Sequence, residues 1–501
     1  MEKDIYDLAI IGGGINGCGI ARDAAGRGLK VLLVEQDDLA SATSSWSSKL
    51  IHGGLRYLEQ YEFRLVREAL QEREVLLRIA PHIIQPLEFI LPHDKHMRPA
   101  WMVQIGLFMY DNIGGKISLP GSRMVPFPDP QYSVGLKPVI RRGFFYSDAK
   151  VDDARLTILN AVSAREHGAE VRVRTRLTGG KRESDAWTLM LKNVDSGTES
   201  TVYAKGIVNA AGPWVKHLLD NTLKVRMNAG VKLVKGSHIV VPRVHPGKHA
   251  YILQHSDKRV IFIIPYEEKF SLIGTTDVSV DHVEDARAIT ADEITYLVEA
   301  ANRFLEKPIS KYDVVWTYAG VRPLYDDGSA NPSEITRDYV LKVDCDDGTL
   351  PLLSIFGGKI TTYRRLAEHA MVELRKFYPA LGDAWTDREV LPGGESNLDS
   401  IVANAIKHYP GLPVDYLQRL ARRYGSRIEA VLGNAKSLDD LGGIFGAGAT
   451  MLSEREIDYA IAEEWAATPD DILWRRTKCG LHMDVAERER ASRFIASKAK
   501  R

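Results

Sequence analysis

Ile5-Tyr6-Asp7-Leu8-Ala9-Ile10-Ile11 leads at once into Gly12-Gly13-Gly14-Ile15-Asn16-Gly17. A helical pattern follows from about Cys18 to Arg27, Gly28 stops it, and the apolar run Leu29 to Val34 ends at Glu35. The first run is short and mostly apolar, as a buried parallel strand requires. Gly12-x-Gly14-x-x-Gly17 gives a tight turn, lets the backbone approach a pyrophosphate and packs helix on strand. The helix N-terminus then turns free N–H groups and a partial positive charge toward the phosphates. Glu35 stands 18 residues beyond Gly17, where a carboxylate accepts hydrogen bonds from a ribose hydroxyl. A lone glycine motif predicts only a turn; strand, turn, helix, strand and acid together predict a dinucleotide site.

The chain of 501 residues has room for two or three domains with sizeable cores. Lys+Arg and Asp+Glu both number 66, which argues against broad nucleic-acid binding. Cys18, Cys345 and Cys479 are too scattered for a metal cluster or a disulfide framework. No metal is expected, and a reducing, cytoplasmic setting fits. Met1-Glu2-Lys3-Asp4 runs directly into the first strand without a secretory h-region. No stretch approaches the ~20 apolar residues of a spanning helix. A protein that is soluble or lies on a membrane is therefore expected.

Asp37 to Ser48 is rich in hydroxyls, which either cap a helix, bind phosphate oxygens or line a solvated loop. In Lys49-Leu50-Ile51-His52-Gly53-Gly54-Leu55-Arg56-Tyr57, a glycine pair stands beside Lys, His and Arg, so backbone and cations can reach an anionic ligand. Glu62 to Ile79 reads as an amphipathic helix. Between Pro99 and Tyr110 there are no charges, and the run holds Trp101, Met102, Ile105, Leu107, Phe108 and Met109. It suits a buried helix or an interfacial one, and the residues alone favour the buried helix. Gly206 to Trp214 reads as a buried strand running into a small-residue turn at Ala210, Ala211 and Gly212. Residues 226–334 are strand-rich apart from a helix at Asp292 to Phe304. Pro351 to Phe356, Gly357-Gly358-Lys359 and a helix from Thr362 repeat the order of strand, glycine turn and helix. Beyond residue 389 nearly everything is short helix with basic clusters, Arg419 to Arg427 and Arg488 to Arg501. Such clusters form a solvated face or meet anionic lipid.

NAD and FAD both fit the N-terminal unit. FAD is favoured, because there is one such unit and further glycine turns suggest a long ligand gripped along its length. Gly12-Gly13-Gly14-x-x-Gly17-x-Gly19-x-Ala21-x-Asp23-x-x-x-Arg27-Gly28 resembles the N-terminal signature of FAD-dependent glycerol-3-phosphate dehydrogenases. Gly357-Gly358-Lys359-x-x-Thr362-Tyr363-Arg364-x-x-Ala367 resembles their second signature. Ser47 to Tyr57, Lys235-Gly236-Ser237-His238, Gly320-Val321-Arg322-Pro323 and Ile335-Thr336-Arg337-Asp338-Tyr339 also look like family segments. Trp46 and Ala211 are small departures. The resemblance spans essentially the whole chain.

That resemblance implies an α/β fold: a Rossmann-like FAD-binding domain, an inserted β-rich substrate domain and an all-α C-terminal domain. The expected division is 1–75, 150–225 and 335–388 for FAD, 76–149 and 226–334 for the substrate or cap, and 389–501 for the helical domain. It implies oxidation of sn-glycerol 3-phosphate to dihydroxyacetone phosphate, with electrons passed to membrane quinone. Peripheral attachment to anionic lipid at the cytoplasmic face of the membrane, as a homodimer, follows from the same resemblance. Residues 98–111 and the basic clusters then become candidate membrane contacts.

FAD is expected to touch Gly12, Gly13, Gly14, Ile15, Asn16, Gly17 and Glu35. Further contacts are expected from Thr43, Ser44, Ser45, Ser48 and Lys49, from His52, Gly53, Gly54 and Leu55, from Ala210, Ala211 and Gly212, and from Gly357, Gly358, Lys359 and Thr361. A dianionic phosphate favours arginine for its forked donors. Arg322 and Arg56 are assigned to substrate, with Arg337 and Tyr57 beside them. His238 is the candidate general base, because an unperturbed imidazole titrates near about pH 6.5; orienting substrate is the alternative role. Lys359 is expected to stabilise reduced flavin or substrate. The rival readings are an amino-acid oxidase, a malate:quinone oxidoreductase, an oxygen-using glycerol-3-phosphate oxidase and a non-catalytic flavin-binding protein.

Overall fold

The computed structural model describes residues 4–94, 97–254, 259–326 and 338–499. The first sheet is built on Ile5–Ile11, which pairs in parallel with Val31–Val34 on one side and Glu199–Asn209 on the other. Thr349–Phe356 then joins Glu199–Asn209 in parallel, Glu170–Arg172 joins Val31–Val34, and the hairpin Thr175–Arg182/Trp187–Asn193 pairs with the first half of Glu199–Asn209. Both faces of this sheet are covered, so its central strands are apolar throughout rather than alternating. Helices Ile15–Gly26, Asp153–Glu166 and Tyr363–Leu374 pack on one face with Cys18, Ile20, Ile158, Val162, Leu366 and Met371. Trp187, Leu189, Val215 and Leu219 fill the other.

The ten-stranded second sheet is assembled from residues 50–51, 84–151 and 230–326. Its long strand Gly230–Pro242 pairs antiparallel with Trp316–Asp326 over eleven residues, placing His238 opposite Tyr318 and Val234 opposite Arg322. Side chains alternate across a strand, so His238, Tyr318 and Arg322 share one face. Gly236 and Gly320 face each other between them, and the Arg322 guanidinium and Trp46 lie where their Cβ atoms would stand.

The fold is therefore α/β, with a Rossmann-like sheet, a second β-rich unit and a helical C-terminal part. The last contains Leu398–His408, Val414–Tyr424, Glu454–Glu464 and Val485–Ala499, with one small two-stranded ladder between Ile444–Phe445 and Leu452–Ser453.

Two surface expectations change. Helix Ala100–Ile113 is not buried: Leu107 and Tyr110 face inward, while Trp101, Met102, Ile105, Phe108 and Met109 are exposed. Composition alone gave no polar face to mark the outside. The arginines from 419 to 427 do not form an open basic face. Arg419 and Arg422 reach Glu267 and Glu268 of the second sheet at 2.8 Å each, and Arg427 reaches Glu166. Burial alone would raise the Glu267 carboxyl, but Arg419 and His482 hold it well below the usual carboxylate range. Among the described residues no helix is long and apolar enough to cross a membrane.

Candidate functional site

The glycine turn is a cradle that no side chain can enter. A Cβ on Gly12 would lie 2.5 Å from the Ala210 carbonyl oxygen, and one on Gly17 would lie 1.9 Å from that of Gly12. Gly14 opens helix Ile15–Gly26 without a side-chain cap; Ser44 from the following loop accepts the Ile15 N–H at 2.9 Å instead. Further first-turn N–H groups are left for an anion. Glu35 accepts the N–H groups of Gly13 and Asp37 at 2.6 and 2.8 Å, and burial raises its carboxyl to about 7.

The second signature returns to the same place. Asn16 donates to the Gly357 carbonyl at 3.2 Å across 341 residues. Its Oδ1 is buried without a partner and lies against Gly358, where a Cβ would be 3.2 Å away. Gly357 and Gly358 both have positive φ, at 80° and 101°, as backbone that must turn under a ligand often does. Ala210 is tied to Ile11 at 2.9 Å, and Ala211 and Gly212 turn out of the same strand end. Thr361 accepts the His52 N–H at 3.3 Å. The Gly53 N–H donates to Tyr110, whose hydroxyl donates to Asp148. Gly54 is left-handed, with the Tyr57 ring where a Cβ would go, and Leu55 packs on the second sheet's core.

Several hydroxyls and one cation in the Ser-rich loop are used by the protein itself. Thr43 donates to the Val321 carbonyl at 2.7 Å and Ser45 to Ala40 at 2.6 Å. The Lys49 ammonium turns inward to Asp153 at 2.8 Å and Ser45 O at 2.9 Å. Ser48 meets His238 Nε2 at 2.9 Å.

Five candidates, Lys359, Tyr57, His52, His238 and Arg322, are brought near one another. The Lys359 ammonium lies 3.9 Å over the Tyr57 ring. Burial first, then the charges of Lys359 and Arg322, lower the His52 imidazole to about 4. Burial, then Arg322 and Lys49, lower His238 well below its ordinary value, so both imidazoles are neutral at physiological pH. Arg322 is half-buried, pairs with Asp277 and donates to Thr275 at 3.3 Å. Arg56 is not drawn into this group; it stands exposed on the 3-10 turn Leu55–Gln60. Arg337 lies outside the described residues.

Sequence reasoning missed Glu293. It accepts Ser237 and Thr276 hydroxyls at 2.7 and 2.9 Å and pairs with Lys235 at 2.7 Å, locking the strand that carries His238 from its other face. Burial opposes this charge, but the Lys235 and Ser237 contacts bring its carboxyl down to about 2. The Thr290-x-x-Glu293 capping box was the available signal. Nothing in the spacing pointed to Tyr318, whose ring stacks on His238 at 4.7 Å.

A glycine turn opening a helix, an acid at the end of the second strand and cations beside two buried imidazoles are the parts of a dinucleotide-dependent oxidoreductase. Residues 7–364 match the family described as FAD dependent oxidoreductase, and residues 384–499 match the C-terminal domain of alpha-glycerophosphate oxidase. The chain is 52% identical over 491 residues to aerobic glycerol-3-phosphate dehydrogenase of Escherichia coli, covering 98% of this chain and 97% of that one. It is 50% identical over 490 residues to D-erythritol 1-phosphate dehydrogenase of Brucella abortus, covering 97% of each. The FAD complex of glycerol-3-phosphate dehydrogenase from Bacillus halodurans superposes with a TM-score of 0.76 at 28% identity, covering 100% of this chain and 92% of that one. The chain belongs to the FAD-dependent glycerol-3-phosphate dehydrogenase family, and its cofactor is FAD. The cradle fits that group: the glycine turns leave no room for side chains, Glu35 ends the second strand against Gly13, and Asn16 Oδ1 is buried without a partner.

Proposed function

We propose that the protein oxidises the C2 hydroxyl of sn-glycerol 3-phosphate to give dihydroxyacetone phosphate and passes the electrons to a membrane quinone. The observation that carries this reading is that His238 and Arg322 share one face of the second sheet while Lys359 follows the Gly357-Gly358 turn and lies over Tyr57. FAD supplies the hydride acceptor. Arg322 exchanges Asp277 for the substrate phosphate, whose forked geometry its guanidinium matches. Lys359 offsets the negative charge that builds up on reduction. His238 accepts the C2 hydroxyl proton or orients that hydroxyl. Its lowered basicity reflects burial and the cations around it, and a bound phosphate dianion offsets Arg322 and moves it back toward neutrality.

The division into a cofactor domain at 1–75, 150–225 and 335–388, a substrate or cap domain at 76–149 and 226–334, and a helical domain at 389–501 is part of this reading. Arg56, Tyr57 and Arg337 are kept as substrate contacts. The exposed face of helix Ala100–Ile113 is the proposed peripheral contact with anionic lipid at the cytoplasmic face of the membrane. Trp101→Ser with Phe108→Ser should weaken binding to anionic vesicles without altering activity toward a soluble acceptor. The proposed assembly is a homodimer.

A second reading is a four-carbon alditol phosphate, since the erythritol-phosphate relative, at 50% identity, stands just below the glycerol-3-phosphate dehydrogenase at 52%. The deciding experiment is anaerobic. The visible flavin spectrum is recorded, sn-glycerol 3-phosphate or D-erythritol 1-phosphate is added, and then a soluble quinone. Bleaching by the three-carbon substrate and recovery with quinone supports the first reading. Preferential bleaching by the four-carbon substrate supports the second, and peroxide formation in air without quinone turnover replaces quinone by oxygen as the acceptor.

A further inference from the structure

His238 is held unusually for a buried histidine. Nε2 meets Ser48, but Nδ1 is buried without a partner. The ring edge lies against Gly274, where a Cβ would come within 2.2 Å of Cδ2, so no side chain braces it there. What fixes the ring plane is Tyr318, stacked at 4.7 Å and 19°. Tyr318 in turn donates its hydroxyl to the Ser47 carbonyl at 2.7 Å. Trp316, two residues earlier on the same face, lies 5.3 Å from Tyr318, and Trp474 of the helical part stacks on Trp316 at 5.1 Å and 22°. Gly480 makes room for that indole, since a Cβ there would stand 3.1 Å from it.

The segment that carries Trp474 is anchored on both sides. Arg476 pairs with Asp38 across 438 residues, and Arg174 reaches Asp471 at 3.0 Å. Lys478 pairs with Asp152, whose neighbour Asp153 holds Lys49 at 2.8 Å, and the Lys49 ammonium lies 5.1 Å from the Tyr318 ring. Two lines from one C-terminal segment therefore end on the ring that holds His238. We propose that Trp474 is a positioning residue for His238, acting through Trp316 and Tyr318, so that the helical part of the chain completes the reaction site. This rests on the proposed function, in which His238 faces the substrate hydroxyl.

The test compares Trp474→Ala and Trp474→Phe holoenzymes with Phe494→Ala, a control whose ring packs on Phe445 in the same part of the chain. Two readouts are used: kcat and KM for sn-glycerol 3-phosphate with a soluble acceptor, and the rate of diethylpyrocarbonate modification of His238 followed by peptide mass spectrometry. Trp474→Ala should lower kcat by roughly tenfold to a hundredfold, the scale of a misplaced catalytic group. Its KM should stay within about twofold, with FAD per chain unchanged and His238 modified faster. Trp474→Phe should restore most of kcat, and the control should match the unaltered protein. Unchanged kcat and His238 reactivity in Trp474→Ala overturns the proposal, as does the same loss in the control. If Trp474→Ala does not accumulate folded, Trp474→Leu keeps bulk without a stacking ring. It should then show the lowered kcat and the faster His238 modification, and unchanged values in it overturn the proposal. If the unaltered protein does not oxidise sn-glycerol 3-phosphate, the proposed function fails, while the modification rate still decides the coupling.

Discussion

In the parallel sheet Gly12, Gly17 and Gly358 act by having no side chain: backbone crowds the first two, and the Asn16 and Leu366 side chains crowd the third, at the surface proposed to receive the nucleotide. In the antiparallel sheet Gly236 and Gly320 make room for side chains instead: the Arg322 guanidinium lies against one and Trp46 against the other, with His238 and Tyr318 beside them. The first surface is assembled mainly by local turns at two places in the chain. The second needs a strand pair, a serine loop 190 residues away from His238 and a C-terminal tryptophan. Backbone recognition is thus local and motif-like, whereas side-chain chemistry depends on long-range register.

The difference is open to attack at either surface. The largest effect is expected at the cradle. Gly17→Val places carbon where the Gly12 carbonyl stands, 1.9 Å from a Cβ, and should weaken FAD binding about a hundredfold or more, equivalent to about 3 kcal/mol. Flavin absorbance per purified chain measures it, and a fully loaded variant would break the account of a backbone cradle. Arg322→Ala should leave FAD in place but lower kcat/KM for sn-glycerol 3-phosphate by about a hundredfold, with Arg322→Lys recovering only part because it lacks the fork. Loss of FAD in that variant would blur the separation between the two surfaces.

A smaller effect concerns pH. Burial raises Glu35 to about 7, so without nucleotide it takes up a proton near neutrality. Ribose hydroxyls donate to the ionised form, so FAD binding expels that proton and weakens as pH falls, by at most about tenfold per unit. Kd measured on either side of neutrality should show this slope in the unaltered protein and lose it in Glu35→Gln. Least of all, Tyr110→Phe removes the acceptor of the Gly53 N–H and a donor to Asp148, whose carboxyl burial raises to about 6. Thermal unfolding should register a loss of about 1–3 kcal/mol.

The legibility of the sequence follows the same line. Residues 5–35 and the turn at Gly357-Gly358 can be read directly, because strand, turn and helix follow one another within a short window and the positive φ angles fall on glycines. Lys49 shows the limit. Its place in a basic, glycine-flanked segment suggests a ligand contact, yet its ammonium is spent on Asp153, 104 residues on. Arg337, a candidate substrate contact by resemblance, falls outside the described residues.

By itself the sequence determined the dinucleotide unit, the second glycine turn and the α/β class, since strand period, glycine spacing and helix termini are local constraints. Only the tertiary structure decided that His238 is wedged between Ser48 and Tyr318 and that Glu293 locks its strand. It alone decided that Ala100–Ile113 turns its apolar side outward and that Arg419, Arg422 and Arg427 are consumed in ion pairs. The physical reason is separation: burial and pairing are fixed by partners more than fifty residues away, and no local pattern encodes which partner arrives.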